Sequence, residues 1–315
     1  MEKKEILSNI TMIVILAITI VIIVVGLVLI LLGLNMTFCE LFYNNNITTP
    51  IFSAISFLGD ELGLIILVIA VIFSYDKKFG KNLTISLLFS IYTNGILKDI
   101  FQDPLPWTRA DQRGFGFPSG HAQNAVATWG YMAGEAHQKK SKIIPWIFLI
   151  IIYLIAVSRV MVGAHDIDDV VGGLLFGIAF LVLFIYFEPI ISERINTLDL
   201  KIKLILASVI PITLSLIAII IFPNSFIRYG LVGGALLGLS IGYLIENEKI
   251  RYDPAKLETK WRLVNLTIGI FVTILIYLVL SFIPLEGHIW EFVKYLIISL
   301  VAMLLVPWIF TKINR

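Results

Sequence analysis

Long apolar runs follow one another along the whole chain, and they constrain its fold more than any other feature. Ten can be drawn, each near the roughly 20 residues that a helix needs to cross a bilayer. They lie at residues 10–33, 51–75, 82–101, 119–138, 143–163, 167–191, 202–222, 226–246, 263–284 and 290–311. A backbone in lipid must satisfy its own hydrogen bonds, so such runs predict helices. We therefore expect an all-α, polytopic membrane helix bundle of about ten transmembrane helices.

The composition agrees with a membrane protein. Hydrophobic residues make up 58% of the chain and charged residues 15%, and the mean hydropathy is +0.94. The net charge is only +2, and the basic residues stand in short clusters between apolar runs, so no nucleic-acid partner is predicted. The first run is too long for a signal-peptide core and is expected to be a retained helix. Nothing in the sequence indicates an oligomeric state.

Several helices carry internal features. The runs 51–75 and 119–138 are the least regular, because the first contains Gly59-Asp60-Glu61 and the second contains several polar residues. Polar residues at membrane depth are expected to face protein. Gly234, Gly238 and Gly242 recur every four residues, which predicts close helix packing.

The basic residues predict the membrane orientation, because short cytoplasmic loops collect Lys and Arg. With both termini in the cytoplasm, all but six of the 24 lysines and arginines fall on the cytoplasmic side. The six exceptions are Lys98, Arg109, Arg113, Arg159, Arg228 and Lys294. Four of them lie between residues 98 and 169, and an anionic ligand on the extracytoplasmic face would explain their position.

Three polar clusters lie in that same stretch. They are Lys98–Pro106, Phe117–His121 and Ser158–Asp169. In the predicted topology all three reach the extracytoplasmic ends of helices, so two loops deliver one candidate site there.

The two histidines of these clusters are candidate catalytic residues. His165 and Asp169 are four residues apart at the start of a predicted helix, so the carboxylate can hold one ring nitrogen and fix the tautomer. His121 follows Ser119 and Gly120 at a predicted helix start, where backbone N–H groups favour a phosphate oxygen. One histidine can attack phosphorus while the other protonates the departing oxygen.

The cations of the same clusters suit a phosphoryl group. Lys98 supplies a point charge and Arg159 a planar fork of donors. Taken singly, Lys98 also fits a helix-end lysine that reaches towards water. Asp166 and Asp168 are expected to form a solvated acidic turn.

These residues resemble the type 2 phosphatidic acid phosphatases, the PAP2 family, which are membrane relatives of vanadium haloperoxidases and bacterial acid phosphatases. Pro118-Ser119-Gly120-His121 matches one family motif, and Ser158-Arg159 with His165 and Asp169 matches another. The resemblance covers about residues 50 to 190. It implies a six-helix catalytic core, followed here by four further helices. We therefore predict a catalytic membrane domain over residues 1–195 and a C-terminal four-helix region over residues 196–315.

The resemblance also implies roles for individual residues. His165 would form a phosphohistidine, Asp169 would orient it, and His121 would protonate the leaving group. Four residues would hold the phosphate: Lys98, Ser119, Gly120 and Arg159. Similar enzymes need no metal, and no other cofactor is implied. The implied substrate is a lipid phosphate, hydrolysed at the extracytoplasmic face of the cell membrane.

One position departs from the family pattern. Seven residues after Lys98 the chain has Leu105 where the family has arginine, although Pro106 is in place. A leucine cannot donate to a phosphate, so we expect Arg109 or Arg113 to act as the substitute.

The residues leave three functions open. The leading hypothesis is a phosphatase acting on undecaprenyl diphosphate, phosphatidylglycerol phosphate or phosphatidic acid. The second is a catalytically degenerate family member that binds or transports lipid phosphates, which Leu105 would favour. The third is a metal-dependent hydrolase with His165 and either Asp166 or Asp169 as ligands.

Overall fold

All regular structure in the part of the chain that the structure describes is helical. The computed structural model describes residues 48–106 and 112–313, together with scattered positions between 17 and 32. The predicted first helix, residues 10–33, lies mostly outside the described residues. The expected all-α fold is confirmed.

Twelve α-helices are numbered here in chain order. They are α1 (Thr48–Ser56), α2 (Glu61–Ser74), α3 (Lys77–Phe101), α4 (Gly120–Ala125), α5 (Tyr131–Gln138), α6 (Ile144–Met161), α7 (Ile167–Asn196), α8 (Leu200–Ile221), α9 (Tyr229–Lys249), α10 (Thr259–Ser281), α11 (His288–Leu300) and α12 (Val306–Ile313). Short 3₁₀ segments occupy Phe57–Gly59 and Pro254–Lys256, and π-helical turns occupy Val126–Gly130 and Val301–Leu305.

The described helices follow the apolar runs from the second to the tenth. Within the described residues, 6 helices are long and apolar enough to cross a membrane, or up to 7 if the bent pair α1 and α2 forms one span. Large apolar side chains remain exposed on them, for example Ile220 at 75% and Phe271 at 66%. Such side chains fit a surface that faces lipid.

The two runs expected to be least regular are interrupted. The helices before and after Asp60 are bent by 50°, because Asp60 has an extended backbone with φ −76° and ψ 158°. The run 119–138 holds a π-helical turn at Val126–Gly130 between α4 and α5. Hydropathy alone gives the extent of these runs but not the breaks inside them.

The chain forms two compact units. The first contains residues up to 64 together with residues 96–189, and the second contains residues 65–95 together with residues from 190 onwards. The boundary predicted near residue 195 stays a prediction.

Within the first unit, α6 packs against α1, α4 and α5. Helix α7 presents glycines to the segment that enters α4. A Cβ at Gly173 would lie 2.5 Å from the carbonyl oxygen of Ser119, and one at Gly177 would lie 2.9 Å from Cβ of Val126. Both distances are too short for a real side chain, so these glycines allow the segment to approach the α7 backbone.

Within the second unit, α9 packs against α8 and α11. The predicted glycine face of α9 is confirmed as a packing surface. A Cβ at Gly238 would lie 2.7 Å from the carbonyl oxygen of Leu296, and one at Gly242 would lie 2.6 Å from Cβ of Met303. Close approach of two backbones is the usual reason for small residues every four positions in membrane helices.

Candidate active site

The three polar clusters come together in the first unit. Lys98 lies in the last turn of α3 and Arg159 in the last turn of α6. Ser119 immediately precedes α4, and Asp169 lies in the first turn of α7. Helix ends therefore present these side chains, as the sequence predicted.

His165 and Asp169 form a buried pair. Nδ1 of His165 lies 2.9 Å from Oδ2 of Asp169, and the exposed fractions of the two residues are 7% and 1%. The backbone N–H of Asp166 donates to the same carboxylate oxygen at 3.2 Å. A carboxylate at Nδ1 favours the tautomer with a proton there, which leaves the lone pair on Nε2.

His121 has a carboxylate partner that the sequence analysis did not identify. Its Nε2 lies 2.5 Å from Oδ1 of Asp60, at the bend between α1 and α2. The sequence signal was the charge of Asp60 within an apolar run. The partner of Asp60 could not be predicted from this signal, because 61 residues separate Asp60 from His121 in the sequence.

The segment before α4 presents polar groups to the same region. The backbone N–H of Ser119 donates to the carbonyl oxygen of Asp169 at 2.9 Å, which ties the start of α4 to α7. The hydroxyl of Ser119 is fully buried and has no hydrogen-bond partner within the described residues. Gly120 begins the helix, and the first N–H groups of a helix have no acceptor inside it. These are donors that a phosphate oxygen could accept from.

The aromatic ring before this segment fixes its position. Phe117 packs edge-to-face against Phe101, with ring centroids 4.8 Å apart, and against Phe176 at 6.1 Å. The ring of Phe117 also occupies the space that a Cβ at Gly172 would need. Apolar packing thus holds the loop that carries Ser119 against α7.

Two cations reach the same region. Nζ of Lys98 donates to the carbonyl oxygens of Phe115 and Gly116, the second at 3.0 Å. Nη1 of Arg159 donates to the hydroxyl of Ser56. The Lys98 ammonium also lies within electrostatic range of Asp169 and Arg159. The Lys98 ammonium therefore interacts electrostatically with both Arg159 and the carboxylate of the histidine–aspartate pair.

Of the two residues expected to replace the family arginine, Arg109 and Arg113, the structure describes only Arg113. Arg109 lies outside the described residues. The side chain of Arg113 is exposed, and Leu105 is half-buried. The role of Arg109 therefore stays a prediction.

Acidic residues border the pair, and they are less solvated than expected. Asp166 and Asp168 are half-buried rather than fully exposed, which corrects the expectation of a solvated turn. Burial, followed by the charges of Asp169, Asp168 and Asp103, raises the pKa of Asp166 to about 6. Burial also raises the pKa of Asp103, with Asp169 as the next cause.

The arrangement suits phosphoryl transfer. It combines an imidazole with a fixed tautomer, a second imidazole paired with a carboxylate, two cations and buried hydrogen-bond donors. Within the described residues, no group of three or more His, Cys, Asp or Glu side chains is arranged to hold a metal ion.

Comparisons with known proteins found two matching family models and a similar protein. Residues 79–192 match the model of the PAP2 superfamily, and residues 231–315 match the model described as "PAP2 superfamily phosphatase, transmembrane extension". Phosphatidylglycerophosphatase B of Bacillus subtilis (strain 168) is 30% identical over 148 residues, which cover 42% of this chain and 70% of that protein.

A solved structure also resembles the chain. It is the first transmembrane PAP2 type phosphatidylglycerolphosphate phosphatase from Bacillus subtilis, with a TM-score of 0.45 and 19% sequence identity. The match covers 56% of this chain and 95% of the solved one.

Proposed function

Because the chain belongs to the PAP2 superfamily, we propose that it is an integral membrane phosphatase that hydrolyses a phosphate monoester or diphosphate of a lipid. The observation that carries the proposal is the buried contact between His165 and Asp169. This contact orients the ring of His165 and leaves its Nε2 free to act as a nucleophile.

The proposed reaction is a double displacement. Nε2 of His165 attacks phosphorus, and a P–N bond forms as the bond from phosphorus to the leaving oxygen breaks. His121 gives its proton to that oxygen. Water then gives a proton to His121 and attacks phosphorus, which breaks the P–N bond and releases inorganic phosphate.

The phosphate oxygens are held by charge and by hydrogen bonds. Lys98 and Arg159 balance the negative charge, and the hydroxyl of Ser119 and the N–H of Gly120 donate to it. Arg109 takes the role of the arginine that the family has at the position of Leu105.

The substrate is a lipid whose head group reaches the site. The similar protein from B. subtilis is named a phosphatidylglycerophosphatase, so phosphatidylglycerol phosphate is the first candidate substrate. Undecaprenyl diphosphate and phosphatidic acid are the others. On α6, Ile147 and Ile150 are 47% and 58% exposed, which fits a surface along which acyl chains can lie.

The site is proposed to open on the extracytoplasmic face, with both termini in the cytoplasm, because of the distribution of Lys and Arg. Substituted cysteines test this orientation after Cys39 is replaced by serine. A membrane-impermeant thiol reagent applied to intact cells should label Arg113→Cys but not Lys140→Cys. The reverse labelling would contradict the orientation.

Phosphate release from purified protein tests the function. The assay compares phosphatidylglycerol phosphate, undecaprenyl diphosphate and phosphatidic acid, with His165→Ala as the inactive variant and His137→Ala as a matched control. The proposal requires release from at least one lipid, lost in His165→Ala and kept in His137→Ala.

Leu105 favours one alternative, a degenerate family member that binds or moves lipid phosphates without hydrolysing them. Lipid binding by the wild type without any release of phosphate would support it. Inhibitors distinguish the metal-dependent alternative from the proposed reaction. The metal-independent reaction proposed here should resist a strong chelator and be blocked by vanadate.

A further inference from the structure

The second imidazole of the site is held by a residue from outside the matched motifs. Asp60 lies at the bend after Gly59, and its Oδ1 is 2.5 Å from Nε2 of His121. The side chain of His121 is 22% exposed and that of Asp60 is 46% exposed. The pair is thus open on the side of the carboxylate and enclosed on the side of the ring.

The backbone at the bend directs the Asp60 carboxylate to His121. Asp60 is extended, its N–H donates to the carbonyl oxygen of Phe57 at 3.1 Å, and its own carbonyl accepts from Leu64 at 2.9 Å. These two bonds join the 3₁₀ segment on one side to α2 on the other. The position of Asp60 is therefore fixed by backbone contacts on both sides.

Gly59 brings the bend close to the imidazole. A Cβ on Gly59 would lie 3.1 Å from Cδ2 of His121 and 2.9 Å from a methyl group of Ile155. A larger residue at position 59 would push the ring and the carboxylate apart. Two adjacent residues thus serve the same contact, Gly59 by its lack of a side chain and Asp60 by its charge.

The charges around His121 explain why it needs the contact with Asp60. His121 lies within range of the positive charges of Arg159 on α6 and Lys98 on α3, and both oppose a protonated imidazole. Asp60 is the negative group that faces it. A general acid must hold its proton until the leaving oxygen accepts it.

We propose that Asp60 is the positioning residue of the general acid, holding Nε2 of His121 so that Nδ1 carries the proton given to the leaving oxygen. This inference rests on the proposed phosphatase function. It makes the site a system of two histidine–carboxylate pairs, in which Asp169 serves the nucleophile and Asp60 serves the acid. During the first step the Nδ1–H bond breaks and an O–H bond forms on the alcohol. The Nε2 proton stays on the ring and remains hydrogen-bonded to Asp60.

The dependence of the reaction on its leaving group tests the inference. A lipid phosphate monoester leaves as an alcohol that needs a proton, whereas p-nitrophenyl phosphate leaves as a phenolate that is stable without one. Asp60→Asn should lower kcat/KM for the lipid about 10- to 100-fold, the size expected for loss of one charge-assisted hydrogen bond. The same variant should change kcat/KM for p-nitrophenyl phosphate by less than about 3-fold.

Three further variants complete the comparison. His121→Ala should show the same selectivity as Asp60→Asn with a larger loss, about 10²- to 10⁴-fold on the lipid. Asp60→Glu should recover part of the lost activity. Glu61→Gln is the matched control, because it removes the neighbouring carboxylate and should leave both substrates unaffected.

The pH profile gives an independent readout. The alkaline limb of kcat/KM for the lipid should move to lower pH in Asp60→Asn, because the imidazolium loses its negative neighbour. Equal losses on both substrates, or no loss on either, would overturn the role of Asp60 while leaving the phosphatase function intact. A wild type that releases phosphate from neither ester would overturn the proposed function and this inference with it.

Discussion

Nδ1 of His165 lies 2.9 Å from Oδ2 of Asp169, and the same oxygen accepts the backbone N–H of Asp166. Two donors on one carboxylate oxygen fix both the carboxylate and the ring. His165 stands two residues before α7 and Asp169 lies in its first turn, so the contact joins two residues that are close in sequence.

Asp169→Asn should lower kcat about 10²- to 10⁴-fold, because an amide no longer selects the tautomer that leaves Nε2 free to attack. KM should change much less, since the phosphate-binding groups remain. Steady-state phosphate release measures both constants. Asp199→Asn, at an exposed carboxylate before α8, is the matched control. Unchanged kcat in Asp169→Asn would contradict the orienting role.

The covalent intermediate should be trapped on His165. Wild-type protein mixed with a lipid substrate labelled at phosphorus and quenched in alkali should retain label, because a P–N bond survives alkali and is lost in acid. Mass spectrometry of the digested protein should locate the phosphate on the peptide that holds His165. His165→Ala should carry no label, and label on another residue would refute the assigned nucleophile.

Asp166→Asn should stabilise the protein more at pH 7.5 than at pH 3. The folded pKa of Asp166, about 6, lies above its ordinary value of 3.8, so ionisation between these values destabilises the folded state. Below both values the carboxyl is protonated in either state and the substitution has little effect. Solvent screening at this half-buried group limits the gain to about 1 kcal/mol. Thermal unfolding in detergent at several pH values measures it, and a gain that does not grow with pH would contradict the sign.

Arg109→Ala should lower kcat/KM about 10-fold or more, the size expected for one charge-assisted contact to phosphate. The exposed Arg113 is the matched control, and Arg113→Ala should have little effect. Adding Leu105→Arg to Arg109→Ala should restore activity, because it returns an arginine to the family position. Full activity in Arg109→Ala alone would exclude it as the substitute.

Lys77→Met should destabilise the second unit by about 3–5 kcal/mol, because it leaves the charge of Glu246 buried without its cation. The Glu246 side chain is fully buried, pairs with Lys77 and accepts the backbone N–H of Tyr252 at 2.7 Å. Thermal unfolding followed by tryptophan fluorescence measures the loss. Lys78→Met is the neighbouring control. Combining Lys77→Met with Glu246→Leu should recover most of the stability, and failure to do so would show that the pair itself is not the cause.

Much of the fold could be predicted, because spanning helices are encoded by local hydropathy. The run drawn at 143–163 corresponds to α6 (Ile144–Met161), and the run at 202–222 to α8 (Leu200–Ile221). The bend at Asp60 and the π-helical turn at Val126–Gly130 were not predicted. Both depend on how the backbone packs against neighbouring helices, which hydropathy does not encode.

The site could be predicted where its residues lie close together in sequence. His165 and Asp169 are four positions apart, and the short turn that leads from His165 into α7 brings them into contact. Asp60 and His121 meet only through tertiary packing, and a carboxylate within an apolar run gives no sign of its partner. The raised pKa of Asp166 likewise includes an effect of the charge of Asp103, which lies in a different loop.

The glycines of α7 have a consequence for how sequences of this kind can vary. No Cβ stands between Gly173 and the carbonyl oxygen of Ser119, so main-chain contact contributes to the gap between α7 and the segment that carries His121. A single methyl group at position 173 would widen it, and the reach from attacking nitrogen to departing oxygen would change with it.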